Sequence, residues 1–304
     1  MADVISTASA FDDSQIALMD KAFLLAATDN IIIDSVIDYK REIGAKSIDL
    51  TKFTKLAKAT TALTDGTDVD RVVMADTKVT FTPKEYGNVV GTTKLASLQT
   101  GGKADLGTAQ SVAQNMVESL NAIGIIAGEA GTNILIANSA ASEAALVATD
   151  TIQASDLKYV HNRLSRANIM PFDGDMYIAI CHPDIAADIT DLAGFIAANT
   201  YVNTTELIKN EVGSYGGFRW VKSTGVSVHT DAGASAVDSY DTQFIGRNAM
   251  GRAVSKDPTL TITGPFDMLG RVLNVGWYGV IEYKIVDQAA HWMITSASSY
   301  GTNV

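Results

Sequence analysis

The sequence predicts an α+β chain with mixed sheets, and three observations carry that reading. Strand-like and helix-like segments alternate without a regular βαβ rhythm. One helical pattern is much longer than the others. A Val-, Thr- and Phe-rich stretch precedes it, and long strands close the chain. The 304 residues, 47% hydrophobic and 19% charged, suffice for a sizeable core and fit neither a disordered nor a low-complexity chain.

In the first 46 residues, Ile16, Met19, Phe23, Ile32, Val36 and Ile43 are spaced roughly helically. The pattern is broken at Thr28, Asp29 and Asn30 and at the isoleucine triplet, which predicts an arm with short helical pieces. Residues 63–102 then read as strands at 72–74, 79–82 and 89–95, with a turn through Pro83, Lys84, Glu85, Tyr86 and Gly87. The expected product is a long β-hairpin with too few large apolar residues to form its own core, lying instead on a neighbouring copy of the chain.

Asp105 is positioned to cap a helix whose apolar residues are Leu106, Ala109, Ala113, Met116, Leu120, Ile123, Ala127, Ala130 and Ile134, in steps of three and four. At about 1.5 Å per residue it would be roughly 40 Å long. Gly124, Gly128 and Gly131 suit close packing better than a self-sufficient zipper. A second helix opens at Ser155 and Asp156 and runs through Leu157, Val160, Leu164 and Ala167. A strand over 176–181 ends at His182 and Pro183, a short helix spans 184–192, and a strand spans 218–222. Residues 226–240 read as a small-residue loop, then strands fall near 243–245, 260–263, 272–283 and 292–296. Trp277, Tyr278, Tyr283 and Trp292 are expected to fill a core.

The lone Cys181 permits no intramolecular disulfide and fits a reducing cytosol. No secretory leader is expected, and no apolar window is long enough for a membrane span. The net charge of −11 argues against binding a phosphate backbone, so no sequence-specific nucleic-acid role is expected.

Motifs that could carry chemistry have plainer explanations. Cys181 and His182 are adjacent on a strand and point to opposite faces. His161, His229 and His291 are scattered, and spacing assembles no Ser/His/Asp constellation. Residues 213–217, Gly-Ser-Tyr-Gly-Gly, lack the Lys-Ser/Thr of a phosphate loop and lead into a strand, so they read as a turn. Asp65, Asp68 and Asp70 lack the sixth-position glycine and distal glutamate of a calcium loop. Asp184, Asp188 and Asp191 share a helix face, either a cation site between subunits or a solvated face. No cofactor is expected.

Four strings add a resemblance. They are Tyr86-Gly87 after an amphipathic strand; Tyr177-Ile178-Ala179-Ile180-Cys181-His182-Pro183; Glu211-Val212-Gly213-Ser214-Tyr215-Gly216-Gly217-Phe218-Arg219; and Gly276-Trp277-Tyr278-Gly279. In this order, with the long helix between the first two, the chain resembles the major capsid proteins of tailed bacteriophages, whose fold is shared with the herpesvirus capsid floor and encapsulins. The resemblance covers essentially the whole chain from about residue 20. It implies an N-terminal arm at 1–62, an extended loop at 63–103, a peripheral domain with a spine helix at 104–175 and 255–304, and an axial domain at 176–254.

The implied function is a structural subunit, not an enzyme, forming the hexamers and pentamers of an icosahedral shell around double-stranded DNA. It would be assembled in the host bacterial cytoplasm and reside in the virion. Implied partners are further copies of itself, a separate scaffolding protein, a portal and a decoration protein. The candidate subunit contacts are Lys78, Phe81, Pro83, Lys84, Glu85, Tyr86 and Lys94. Two other readings compete: an encapsulin-type compartment, marked by a cargo-enzyme gene nearby, and a soluble α+β enzyme, marked by small discrete particles.

Overall fold

The computed structural model describes residues 32–301 except 36, 42–45, 54–55, 67, 69–70, 101–102, 173, 175, 198–209, 264–268 and 270. The arm positions Ile16, Met19 and Phe23 therefore lie outside the described residues. A 3-10 turn at Ile33–Ser35 leads to β1 (Asp38–Arg41), β2 (Ile48–Phe53) and β3 (Asp76–Phe81). Next come β4 (Lys84–Thr93), the short helix α1 (Lys94–Gln99) and the long helix α2 (Lys103–Glu129). Then follow β5 (Ile134–Ile136), α3 (Ala154–Arg166), β6 (Tyr177–Cys181) and α4 (Pro183–Thr190). The remaining strands are β7 (Ile196–Ala197), β8 (Glu211–Tyr215), β9 (Phe218–Lys222), β10 (Val228–His229), β11 (Ser239–Ile245), β12 (Met250–Thr263), β13 (Val272–Ile285) and β14 (His291–Ser296).

The strands form three groups. One sheet has the order β1-β12-β13-β4, with β1 parallel to β12 and the other pairs antiparallel. The second has the order β5-β14-β11-β6-β9-β8-β7, with β10 added on β11, and it mixes parallel and antiparallel pairs. The third is the two-stranded ribbon β2-β3. The α+β class with mixed sheets holds.

Helix α2, about 40 Å long by its rise, contributes to a core shared by the two large sheets. Ala109, Val112, Ala113, Met116, Val117, Leu120 and Ile125 meet Val275, Trp277 and Ile281 of β13 and Ile178, Ile180, Val221 and Ile245 of the second sheet. A separate core packs Leu157, Val160 and Leu164 of α3 and Ile185 and Ile189 of α4 against Phe218, Trp220, Phe244 and Ile294.

Several expectations need correcting. The long helix begins at Lys103 and ends at Glu129, so Asp105 is inside it and Ile134 opens β5. Its buried face includes Val112, Val117, Gly124 and Gly128, whereas Leu106 is exposed. Trp277 and Tyr283 are buried, but Tyr278 and Trp292 are only half-buried. The expected hairpin of residues 63–102 does not form as read. Its two strands, β3 and β4, belong to different sheets: β3 pairs with β2, and β4 pairs along its whole length with β13. The ribbon runs instead from Ile48 to Phe81.

Candidate assembly surface

The ribbon leaves the body because its apolar face runs out. In register, Ile48 faces Phe81 and Leu50 faces Val79, and these pack with Ala253 and Val286 as a small cluster of their own. The next pair on that face is Lys52 and Thr77, which has no apolar side chain to bury. Polar contacts hold the root. Lys52 pairs with Asp287 at 2.5 Å, Lys284 Nζ donates to the Thr80 carbonyl at 3.0 Å, and the Thr82 N–H donates to Glu282.

Beyond that root, every described residue from Phe53 to Lys78 is exposed. Among them are large apolar side chains: Phe53, Leu56, Leu63, Val72, Val73 (88% exposed) and Met74. Fully burying such a side chain is worth about 1.5–3 kcal/mol, so covering six would supply on the order of 10 kcal/mol before ordering costs. An isolated chain forgoes that term. So many large apolar side chains left exposed in one segment are what an interaction surface requires.

The candidate contact residues divide into two groups. Lys78 is exposed on β3 and pairs with Asp49 across the ribbon at 2.6 Å, where Asp49 also accepts from Thr80 Oγ1 at 2.8 Å. Phe81 is a correction: at 1% exposure it is part of the ribbon's root cluster and is not available to a neighbour. Pro83 lies half-buried between β3 and β4. Lys84, Glu85 and Tyr86 open β4, opposite Ile281, Val280 and Gly279. Glu85 accepts a hydrogen bond from Tyr278, whose ring lies under Lys256 Nζ at 4.4 Å, and Tyr86 packs on the main core. Lys94 begins α1 exposed, its backbone N–H donating to Arg271 O at 2.8 Å. Lys84–Lys94 thus fold back on their own body. The sequence reading missed Phe53, Leu56 and Leu63; their signal was apolar residues without a period among charged and turn residues.

Helix α2 is seated by glycines near its C-terminal end, Gly124 and Gly128 within it and Gly131 just after it. A Cβ at Gly124 would stand 2.8 Å from Ile33, one at Gly128 2.1 Å from Gln243 Oε1, and one at Gly131 2.7 Å from His291 Nδ1. Gln243 Nε2 donates to Ile125 O at 2.7 Å, tying helix to sheet. His291 is fully buried with no partner for either ring nitrogen, and burial drives its pKa down to about 4, so it is neutral near pH 7. At the arm's root, Asn121 Oδ1 accepts the Ile32 N–H at 3.0 Å. Asp34 accepts from Tyr283 at 3.0 Å and pairs with Arg252; burial raises the Asp34 pKa against those two contacts.

The motifs weighed as chemistry resolve structurally. Burial pushes the Cys181 thiol up to about 12, so it stays protonated and unreactive. His182 caps α4 through the Asp184 N–H. Asp184, Asp188 and Asp191 are more than a wet face: Asp184 accepts from Tyr240 of β11 at 3.0 Å, while Asp188 accepts from the Ser299 N–H at 3.1 Å and Asp191 from Tyr300 at 3.1 Å, holding the C-terminal segment. Gly216 and Gly217, both at positive φ, make the tight turn between β8 and β9. His229 lies between Glu143 at 2.6 Å and Asp241 at 3.5 Å, so both ring nitrogens face carboxylates and neither is directed at a serine. Among the described residues, no His/Cys/Asp/Glu group could hold a metal ion, and no helix is long and apolar enough to cross a membrane.

No protein-family model matches the sequence, and no curated protein matches it either. Solved structures do match in fold. The capsid of Ralstonia phage GP4 superposes with a TM-score of 0.74 at 14% identity, over 88% of this chain and 88% of that one. The acidic stable capsid of Helicobacter pylori bacteriophage KHP30 gives 0.64 at 13% identity, over 85% and 86%. A virus-like particle from Pyrococcus furiosus gives 0.55 at 13%, over 91% and 97%. This chain therefore has the fold of phage capsid subunits.

Proposed function

We propose that this chain is a structural shell subunit, the major capsid protein of a tailed bacteriophage, forming hexamers and pentamers that enclose double-stranded DNA. A fold alone does not fix a role. The observation that carries the reading is the near-full-length fold match to a phage capsid subunit in a chain whose ribbon exposes Phe53, Leu56, Leu63, Val72, Val73 and Met74. Its chemistry is noncovalent and its strength multivalent, each copy meeting several neighbours.

In this reading the extended loop is residues 48–81, and the peripheral domain comprises β4, α1, α2, β12 and β13. The axial domain spans about residues 176–249. Lys78, Lys84, Glu85 and Lys94 remain the polar contact candidates, while Phe81 is replaced by the six exposed apolar residues of the ribbon. A separate scaffolding protein, a portal and a decoration protein are the expected partners, with assembly in the host cytoplasm. The fold match to a virus-like particle keeps an encapsulin-type compartment as a second reading. Negative-stain microscopy of purified protein tests the proposal: shells, tubes or capsomers are expected, and small discrete monomers at all concentrations and salts would overturn it.

A further inference from the structure

Three carboxylates converge on one imidazole from separate parts of the fold. Glu129 is the last residue of α2, Glu143 opens the 3-10 turn Glu143–Ala145 between β5 and α3, and Asp241 is on β11. His229, on the two-residue strand β10, meets Glu143 through Nδ1 at 2.6 Å and Asp241 through Nε2 at 3.5 Å, and its charge acts on Glu129 as well. Hydroxyls fill the remaining positions: Ser239 Oγ donates to Glu143 at 2.5 Å, Ser227 Oγ to Glu129 at 2.8 Å and Thr295 Oγ1 to Asp241 at 2.6 Å.

We propose that His229 is a proton-operated latch that ties the 143–147 segment and the end of the spine helix to the β10–β11 strands, closed when the imidazole is charged and open when it is neutral. With His229 neutral, Glu129, Glu143 and Asp241 face one another without the cation that lowers all three. Glu129 is a particularly poor neighbour to leave uncompensated, because a carboxylate at a helix C-terminus opposes the macrodipole. The latch is independent of the shell reading, since it is contained within one chain.

The sign follows from the contacts. The hydrogen bond to Glu143 raises the His229 pKa, outweighing partial burial. The stabilisation is therefore complete below about pH 6.5, the value of a free histidine, and is lost as pH rises through the folded value. Acid sets the other limit. Burial raises Glu129 and Asp241, so they take up protons first as pH falls. Burial also pushes Glu143 up, but the hydrogen bonds from Ser239 and His229 outweigh it and keep this carboxylate charged longest.

Two measurements on the intact chain test the latch. Imidazole C2–H exchange read by mass spectrometry titrates each histidine separately; His229 should titrate above an ordinary histidine, and Glu143→Gln, which keeps an acceptor but removes the charge, should lower it, with Asp241 and Glu129 still raising it. Backbone amide exchange across 143–147, corrected for intrinsic rate, should be several-fold slower at pH 6 than at pH 8.5, and His229→Gln should be fast at both. A wild-type His229 that titrates at or below the ordinary value, or 143–147 protection that ignores pH, would overturn the proposal. The wild-type titration decides the matter even if a variant does not fold.

Discussion

The spine helix and the β2–β3 ribbon lie in the same chain and treat apolar surface in opposite ways. Along α2, small residues draw the helix onto partners in its own body: Gly124 onto Ile33, Gly128 onto Gln243 and Gly131, just beyond it, onto His291. Along the ribbon, the apolar face ends after Leu50 and Val79, and the larger side chains beyond it are left in solvent. One region closes the monomer; the other, among the described residues, leaves its apolar side chains exposed. The difference teaches that stability of the subunit and its capacity to associate are held by separate residues, and each can be changed without the other.

The largest effect on the subunit itself should come from Gly128→Leu. Even a Cβ there would stand 2.1 Å from Gln243, so the helix must lift from β11 or Gln243 must give up Ile125 O. The helix-propensity gain of about 1 kcal/mol is outweighed by overpacking and the broken buried bond, a net loss of about 3 kcal/mol by urea denaturation.

Next is acid. His291 is neutral and buried, with a folded pKa of about 4 against about 6.5 when unfolded, so its contribution is full above pH 6.5 and falls away between 6.5 and 4. The loss is on the order of 3 kcal/mol by that arithmetic. His291→Gln should flatten this part of the pH–stability curve, with the denaturation midpoint as the readout.

Arg252→Leu leaves the half-buried Asp34 against Tyr283 without its cation and should cost roughly 2 kcal/mol, more near neutral pH than in acid, where the carboxyl can protonate. The smallest effect belongs to the ribbon. Val72→Asp with Val73→Asp should change subunit stability by no more than about 0.5 kcal/mol, because both residues are solvated, yet abolish particle formation in the microscope. A large stability loss there would erase the contrast between the two regions.

Much of the body was legible because its pattern is local. Steps of three and four set out the long helix, and Gly124 and Gly128 marked its close approach before any neighbour was visible. The ribbon was half legible. Its poverty in core residues was visible, but its partner strand was not: Pro83 suggested a turn between paired neighbours, whereas β3 pairs backward with β2 and β4 pairs with β13, nearly two hundred residues on. Strand pairing at that separation leaves no trace in local periodicity. Phe81 was misplaced for the same reason, since its burial depends on Ile48 and Ala253. The role of Asp184, Asp188 and Asp191 depended on donors at residues 240, 299 and 300, equally remote in sequence.

Salt dependence sharpens the contrast further. With a net charge of −11, subunits repel, and raising ionic strength from about 0.01 to 0.15 M shortens screening from about 30 to 8 Å. Light scattering should then report faster assembly, with slower assembly pointing to charge pairs made by Lys78, Lys84 and Lys94.

The most direct measurement is amide hydrogen exchange across residues 53–78 in the free subunit and in assembled particles. The exposed apolar ribbon predicts fast exchange in the free chain over the 54–75 connection and strong protection there in the particle, while the Gly124–Gly131 end of α2 is protected in both. Protection of the 54–75 connection in the free subunit, or none in the particle, would contradict the claim that another copy of the chain is what covers it.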